Sequence, residues 1–270
     1  TVDQGAMNAL AENKNLVQAD GGLVILTAKG QDAVLSGVVN NEGIIQARTV
    51  SNVNGVIKLL AGMEDDTVQV SGTLDASAPN GGDGGFIETS AAHVNAAPDV
   101  MVTTNAPYGK TGTWLVDPID FTIANSGGDM TPATLASNLV SSNFTIQTAS
   151  AGGGNGDIFV SDAVTWNSAN SLTLSAHRDV NVNAAMTNTG SGGVTLRADS
   201  QGACVTNTAT CGTVNFAGAG HITVTGGPVN IYYNPAGSHT ATPSYATPVD
   251  YTGNVTLNGG SVLTAYMLVN

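Results

Sequence analysis

Three copies of one short motif decide the fold of this chain: Val17-Gln18-Ala19, Ile45-Gln46-Ala47 and Leu74-Asp75-Ala76. The copies follow one another at intervals of 28 and 29 residues. A second motif comes after each of them, at intervals of 33 and 30 residues: Gly22-Leu23-Val24-Ile25, Gly55-Val56-Ile57-Lys58 and Gly85-Phe86-Ile87-Glu88. The repeating unit is a strand, a sharp turn, a glycine, a second strand and a variable return. Repeats of about 20–33 residues built from short strands are typical of β-solenoids.

The rest of the chain shows the same strand pattern. Apolar residues alternate with a period of two in runs such as Leu172-Thr173-Leu174, Val180-Asn181-Val182 and Ile222-Thr223-Val224, and helical spacing is nearly absent. One coil of roughly 25 residues buries side chains worth about 10 kcal/mol, which does not offset a backbone entropy of about 1–2 kcal/mol per residue. Coils must therefore stack. A β-sandwich is the competing architecture, but its strands need not recur in ordered pairs.

We therefore predict an all-β fold, a β-solenoid with a central excursion that contains one short helix. The predicted organisation is β-helix coils over 1–97, a loop and short-helix excursion over 98–143, and further coils over 144–270 with a long loop near 234–250. The excursion is predicted from its prolines and aromatic residues. Thr131 is the expected N-cap of the helix and Pro132 its first residue.

Composition excludes several classes of protein. Hydrophobic residues make up 41% of the chain, but charged residues only 10%, and the net charge is −13. A coiled coil needs many more charged and helix-forming residues, and a nucleic-acid-binding surface needs more than seven basic residues. No apolar run reaches the roughly 18 residues of a membrane span. The chain opens at Thr1 and stops inside a strand pattern, so we expect a mature piece or a fragment of a longer protein.

Two cysteines, Cys204 and Cys211, lie seven residues apart in a stretch rich in Gly, Thr and Asn. This spacing favours a small loop closed by a disulfide, since two thiols without a nearby histidine cluster make a poor zinc site. A disulfide would place the protein in an oxidising compartment.

Five segments of the chain carry a resemblance to a known family: residues 19–29, 38–47, 112–123, 156–166 and 263–270, of which Thr113-Trp114-Leu115-Val116-Asp117-Pro118 is the most specific. They resemble the filamentous-haemagglutinin-like exoproteins (TpsA family) of Gram-negative two-partner secretion systems. The resemblance covers nearly the whole chain. It implies a right-handed parallel β-helix that reaches the cell surface through an outer-membrane barrel transporter of the TpsB type. The family's N-terminal secretion domain, with its Asn-Pro-Asn motifs, is not found here, which suggests a segment downstream of that domain.

Candidate chemical groups are sparse. The four histidines (His93, His177, His221 and His239) have no metal-ligand spacing, and no Gly-x-Ser-x-Gly elbow provides a serine nucleophile. Acidic residues occur as Glu64-Asp65-Asp66, as Asp117 and Asp120, and as Asp157 and Asp162. We interpret Glu64-Asp65-Asp66 as a solvated turn, with adventitious Ca²⁺ as the alternative. Because nothing marks a facing catalytic pair, we predict no enzyme, no cofactor and no metal.

Other motifs have weak signals. The run Gly81-Gly82-Asp83-Gly84-Gly85 resembles one copy of a calcium-binding nonapeptide, which works only by repetition, so it predicts a turn. Asn143 and Asn254 open glycosylation sequons. Trp114 and Trp166 are candidate ligand-contact aromatics, although packing onto the core is the alternative that we favour for both.

These patterns together predict a structural and adhesive shaft segment of a secreted, cell-surface exoprotein. Its excursions near 98–143 and 234–250 are the expected surfaces for attachment to a host receptor or glycan, or to neighbouring cells. Three alternatives stay open: a capture module for a host protein such as a haem carrier, a polysaccharide-active β-helix enzyme, and a fibre subunit that associates end to end. Aligned carboxylates on adjacent coils would favour the enzyme. No nucleic acid and no membrane span are expected.

Overall fold

The computed structural model describes residues 9–30, 37–151, 153–202, 211–235, 246 and 248–268. The chain divides into two units. Unit 1 is Thr1–Ile119 with Ser137–Thr145, and unit 2 is Asp120–Ala136 with Ile146–Asn270. Both units consist mostly of short strands in parallel sheets, so the predicted all-β parallel solenoid is confirmed.

Unit 1 contains four successive coils of three strands each. The strands are β1 (Leu10–Asn13), β2 (Leu16–Gln18), β3 (Leu23–Thr27), β4 (Val38–Asn41), β5 (Ile44–Gln46), β6 (Val56–Leu60), β7 (Thr67–Val70), β8 (Thr73–Asp75), β9 (Phe86–Ser90), β10 (His93–Ala96), β11 (Met101–Thr103) and β12 (Thr113–Asp117). Each coil gives one strand to each sheet, so the strand orders are β1-β4-β7-β10, β2-β5-β8-β11 and β3-β6-β9-β12. Every pairing within these sheets is parallel.

The repeated motifs align residue for residue. In the second sheet Val17 lies opposite Ile45, and Ile45 lies opposite Leu74. The third sheet follows the second motif, with Val24 opposite Ile57 and Ile57 opposite Ile87. The register that the sequence predicts is therefore the register of the sheets.

A period of two separates the core of unit 1 from its surface. In β6, Ile57 and Leu59 are fully buried while the residues beside them are partly exposed. The buried column that contains Ile57 continues through Ile87 to Trp114 on adjacent coils. Apolar side chains stacked at the strand spacing of about 4.8 Å thus form a continuous core, which a single coil could not provide.

Asparagines stabilise the first corner of unit 1. The buried Asn13 donates through Nδ2 to Oδ1 of Asn41 on the next coil, at 2.9 Å. Asn41 in turn donates to the carbonyl oxygen of Ser71, at 2.8 Å. An amide both donates and accepts, so it can satisfy buried backbone groups at a corner and also bond to the next coil.

Unit 2 repeats the plan with three parallel sheets. Its elements are β13 (Phe121–Ile123), α1 (Pro132–Leu139), β14 (Asn143–Gln147), β15 (Ile158–Val160), β16 (Val164–Trp166), β17 (Leu172–Ser175), β18 (Val180–Val182), β19 (Ala185–Asn188), β20 (Val194–Arg197), β21 (Val214–Phe216), β22 (His221–Thr225), β23 (Val229–Tyr233), a 3₁₀-helix (Thr252–Asn254), β24 (Val255–Asn258) and β25 (Leu263–Met267). The strand orders are β13-β15-β18-β21, β16-β19-β22-β24 and β17-β20-β23-β25. Elements α1 and β14 cross the boundary between the units.

The predicted helix is confirmed at its expected start. Pro132 is the first helical residue, and Oγ1 of Thr131 accepts the backbone N–H of Thr134 at 3.1 Å. This is the N-cap bond that the sequence predicts. Leu135 is fully buried. Along the chain, α1 stands where the following coils have a strand of the second sheet.

The excursion is narrower than its predicted bounds of 98–143. Strands β11 and β12 continue two sheets of unit 1, and β13 starts a sheet of unit 2. Only the segment 124–142 around α1 departs from the strand pattern. The aromatic residues Trp114 and Phe121 fill core positions, and Pro107 and Pro118 lie between strands, where a missing N–H breaks no pairing.

Two further predictions fall partly on residues that the structure does not describe. Cys211 is buried and disulfide-bonded, whereas Cys204 lies outside the described residues. Most of the predicted loop at 234–250 also lies outside them.

Candidate functional site

The third sheet of unit 2 carries an outward-facing array of polar and aromatic side chains. In β20, Val194 and Leu196 are buried, while Thr195 and Arg197 face outward and are partly exposed. Parallel register repeats these positions on the neighbouring strands. One column contains Thr173, Thr195, Asn230 and Thr264, and the other contains Ser175, Arg197, Tyr232 and Tyr266.

In the second column Arg197, Tyr232 and Tyr266 lie side by side on adjacent coils. The rings of Tyr232 and Tyr266 lie 4.6 Å apart between centroids, with 11° between their planes. On the other side of Tyr232, the guanidinium carbon of Arg197 lies 5.6 Å from the ring centroid. Tyr266 is 44% exposed. We call Thr195, Arg197, Asn230, Tyr232, Thr264 and Tyr266 the tyrosine face.

Both predicted ligand-contact aromatics are buried instead. Trp114 donates through Nε1 to Oγ1 of Thr89 at 3.1 Å, and its ring meets Phe144 edge-on at 4.7 Å between centroids. Trp166 is 3% exposed. Neither ring has a face open to solvent, so both tryptophans pack in the core, the alternative that we favoured from the sequence.

The interpretation of Glu64-Asp65-Asp66 as a solvated turn is wrong for Asp66. This carboxylate is buried and accepts the backbone N–H groups of Gly30 (3.0 Å), Gly62 (2.7 Å) and Gly37. It therefore holds two return segments together. Asp65 is exposed, and one of its oxygens lies 3.7 Å from Nε2 of His93.

The other flagged aspartates of unit 2 have structural partners. Asp157 is buried and forms an ion pair with Arg178, with Oδ1 at 2.8 Å from Nε, and the hydrogen bond raises the pKa of Arg178 above its ordinary value. Asp120 accepts the backbone N–H of Asp157 at 2.7 Å, and Asp162 accepts that of Asn125 at 2.7 Å. These carboxylates are used to hold turns.

Unit 1 brings together one carboxylate pair that the sequence did not reveal. Glu88 in β9 and Asp117 in β12 lie on adjacent coils, two register positions apart on the same face. Burial, with Glu88 as a smaller cause, raises the pKa of Asp117 from 3.8 to about 6. Its Oδ1 is buried and has no hydrogen-bond partner among the described residues. Lys58 binds Glu88 at 2.6 Å.

The described histidines serve separate local roles. His221 bonds through Nε2 to Oγ1 of Thr256 at 2.8 Å, and the backbone N–H of His177 donates to Oγ1 of Thr148 at 3.0 Å. His239 lies outside the described residues. Within the part of the chain that the structure describes, no three His, Cys, Asp or Glu side chains are grouped so that they could hold a metal ion.

The glycine run is required by close approach of backbones. A Cβ on Gly84 would lie 1.8 Å from the carbonyl oxygen of Thr104, and Gly82 has a φ of +85°. Asp83 accepts the backbone N–H of Lys110 at 2.8 Å. The run therefore forms the turn that we predicted, between β8 and β9.

The sequon asparagines are partly buried. Nδ2 of Asn143 donates to the carbonyl oxygens of Thr111 and Gly112, at 2.8 and 2.9 Å. Asn254 ends the 3₁₀-helix and is partly exposed. Attachment of a sugar to Asn143 would break bonds that its amide already makes.

A groove of about 410 Å³ lies beside β11 in unit 1, within the predicted 98–143 surface. Its lining includes Met101, which is 65% exposed, and Asn138. Asn138 accepts the backbone N–H of Val102 at 2.7 Å and donates to the carbonyl oxygen of Val100 at 3.2 Å. These bonds cap the edge of the sheet at β11, which is an ordinary protection of an edge strand.

Comparison with known proteins adds no identity. No protein-family model, no curated protein and no solved structure matches the chain. In the described residues, no helix is both long and apolar enough to span a bilayer.

The tyrosine face is visible in the sequence only when the strands of successive coils are compared, and not when each motif is considered alone. Its strands have the form Val194-Thr195-Leu196-Arg197, Val229-Asn230-Ile231-Tyr232 and Leu263-Thr264-Ala265-Tyr266. Aligning them as successive coils would have placed Arg197, Tyr232 and Tyr266 in one column.

Proposed function

We propose that this chain is a structural and adhesive shaft segment of a secreted, cell-surface exoprotein. One observation supports this most strongly: parallel register is kept over successive coils in each unit, which places outward side chains in columns on a fixed backbone. Such columns suit attachment to an extended ligand, because several coils can contact it at once.

The columns are also regular in chemistry. In the second sheet of unit 2, Thr165, Thr187, Thr223 and Thr256 occupy one register line. Their hydroxyls can donate and accept, so the surface can bond to polar ligands without large rearrangement. The strand backbones behind them are hydrogen-bonded on both sides except at the sheet edges, which keeps the column spacing constant.

Secretion forms the second part of the proposal. The parallel solenoid is the fold implied by the resemblance to filamentous-haemagglutinin-like exoproteins. That resemblance names a TpsB-type outer-membrane transporter as the partner during secretion. The disulfide at Cys211 supports an oxidising, extracellular location.

A second candidate function is supported by the carboxylate pair on adjacent coils. Glu88 and Asp117 lie on one face, and a carboxyl with a pKa of about 6 has the protonation behaviour of a general acid. A polysaccharide-active enzyme would use such a pair. The test is release of reducing or unsaturated ends from soluble polysaccharides, compared between the unmodified protein and Glu88→Gln.

The adhesive function is tested by an array of glycans and host proteins, with and without Ca²⁺. We expect saturable binding that Tyr266→Ala weakens. Leu16→Ala is the control, because Leu16 is 58% exposed in unit 1 and lies outside both the tyrosine face and the predicted attachment surfaces. No binding to any probe in either condition would refute adhesion by this segment and leave only the shaft role.

A further inference from the structure

The tyrosine face combines three kinds of binding group in a small area. Thr195, Asn230 and Thr264 form one column of hydrogen-bonding side chains. Arg197, Tyr232 and Tyr266 form the adjacent column, two residues further along each strand. Both columns advance by one strand spacing, about 4.8 Å, per coil. A linear ligand that lies along the columns would therefore meet equivalent groups on three coils.

Arg197 is unusual for its charge environment. Unit 2 contains two Lys or Arg residues, Arg178 and Arg197. Arg178 is held by Asp157 and Asp179, with Nε at 2.8 Å from Oδ1 of Asp157 and at 3.7 Å from Oδ2 of Asp179. Among the described residues Arg197 has no carboxylate partner, and its guanidinium lies over the ring of Tyr232.

Two segments that follow β20 and β23 along the chain lie outside the described residues, and they also lack an acidic partner for Arg197. Residues 203–210 and 236–245 follow β20 and β23 along the chain, and neither segment contains Asp or Glu. In a chain with twenty acidic residues and seven basic ones, an arginine left without an acidic partner is notable. The guanidinium carbon lies within cation–π range of the Tyr232 ring, and no carboxylate among the described residues occupies the N–H groups of Arg197.

The three groups together define a ligand chemistry. A guanidinium binds a carboxylate through two parallel N–H···O bonds. Hydroxyl and amide side chains in a neighbouring column match the hydroxyls of a sugar. The partly exposed ring of Tyr266 offers an apolar surface for the C–H face of a sugar ring. Neutral glycans would leave the guanidinium unused, and a purely apolar ligand would leave the polar column unpaired.

We propose that the tyrosine face binds a carboxylate-bearing oligosaccharide, with the carboxylate on Arg197 and a sugar ring against Tyr266. This inference rests on the proposed adhesive function and names its ligand class. Two sources supply the same chemistry, a polyuronate chain and a sialylated glycan. Separate arms of the experiment distinguish them.

The experiment is titration calorimetry of the full 270-residue chain with oligogalacturonate and with a sialylated oligosaccharide. Each is compared with its uncharged counterpart, the methyl-esterified oligogalacturonate or the asialo glycan. We expect at least one acidic ligand to bind, its neutral counterpart to bind at least about tenfold more weakly, and Arg197→Gln to cause a similar loss. Arg197→Lys should keep part of the affinity because it keeps the charge but not the planar fork.

Lys29→Gln is the matched control, since it removes one exposed positive charge from unit 1, outside the predicted attachment surfaces, and should leave the affinity unchanged. Circular dichroism and the unfolding midpoint show whether each variant remains folded. Equal binding of neutral and acidic ligands, or full affinity in Arg197→Gln, would overturn the proposed ligand class while adhesion stands. Tighter binding of polyglutamate than of either acidic glycan would overturn it in favour of an acidic protein. The absence of binding to any array probe would remove both proposals together.

Discussion

Asp66 provides the sharpest test of how unit 1 is held together. Its carboxylate accepts backbone N–H groups from Gly30 and Gly62 on Oδ2 and from Gly37 on Oδ1. Gly30 and Gly37 belong to the return between β3 and β4, and Gly62 belongs to the return between β6 and β7. Replacing Asp66 by Ala removes both acceptor oxygens and so all three hydrogen bonds, whereas Asp66→Asn keeps one oxygen and turns an amide N–H₂ toward donors.

The expected loss follows from the number and burial of these bonds. A hydrogen bond to a charged group contributes about 1.5–3 kcal/mol, and a buried donor left without a partner costs about 1–3 kcal/mol. The hydrogen bond from Gly37 is buried, while those from Gly30 and Gly62 are partly buried. In the variant, water can therefore accept the N–H groups of Gly30 and Gly62 and recover part of the lost free energy. We therefore expect Asp66→Ala to lower the free energy of unfolding of unit 1 by about 4 kcal/mol, and Asp66→Asn by about 2 kcal/mol.

The assay is urea unfolding followed by tryptophan fluorescence. The chain has two tryptophans, Trp114 in unit 1 and Trp166 in unit 2, so a Trp166→Phe background makes the signal specific to unit 1. Asp65→Ala is the control, because Asp65 is the exposed neighbour of Asp66 and should change stability by less than about 0.5 kcal/mol. If Asp66→Ala matches Asp65→Ala, the three hydrogen bonds do not hold the returns and the reasoning fails.

Three further predictions follow from the structure. The pKa of Asp117 is raised to about 6, so the folded state binds this proton more tightly than the unfolded state does. The free energy of unfolding should therefore fall by about 1 kcal/mol as pH rises from about 4 to 6. Asp117→Asn should remove this pH dependence in urea titrations at several pH values. Gly84→Ala should destabilise unit 1 by about 2–3 kcal/mol since its Cβ would meet the Thr104 carbonyl oxygen at 1.8 Å, whereas Gly253→Ala, with nothing within 4 Å, should be nearly neutral by thermal unfolding. Leu10, Leu16 and Leu23 on the first coil are 55–60% exposed, so this chain should self-associate with rising concentration and Leu23→Lys should weaken that association. A monodisperse monomer at all concentrations in light scattering would contradict this.

The register of unit 1 could be predicted because folding imposes it directly. Core positions such as Ile57 and Ile87 must face inward and stack on the next coil, so the same apolar pattern returns at each coil. The helix start was predictable for a similar reason, since Thr131 and Pro132 act through local backbone geometry. Wherever the physical cause lies within one coil or between adjacent coils, the pattern is visible in the sequence.

The excursion was predicted too wide because composition does not show which side chains face the core. Aromatic residues and prolines over 98–143 differ from the Val, Thr and Asn of the other coils. Trp114 nevertheless occupies the same register line as Ile87, and it fills the core where smaller residues do so elsewhere. A sequence shows that a residue is large, but whether it faces inward depends on the strand boundaries, which prolines alone do not fix.

The carboxylate pair was beyond sequence reasoning for a different reason. Glu88 and Asp117 are far apart in the chain and belong to no common motif. Their placement on one face depends on the length of the whole coil from β9 to β12, and coil length varies along the chain. Likewise, Asp66 stood in an acidic run that looks solvated, and only the folded returns show the backbone donors that surround it.

The tyrosine face differs from the rest of the surface because its residue types are not required for folding. At the outward position before Arg197, the same column contains Ser175, which pairs as well in a parallel sheet and exposes less apolar area. Ordering Arg197, Tyr232 and Tyr266 in one stack costs side-chain entropy, and a surface stack regains only part of it. Core burial does not explain the change, because these side chains point away from the core. This column contains residues that cost more side-chain entropy than Ser175 does and that do not stabilise the fold. We therefore expect a binding function at this column.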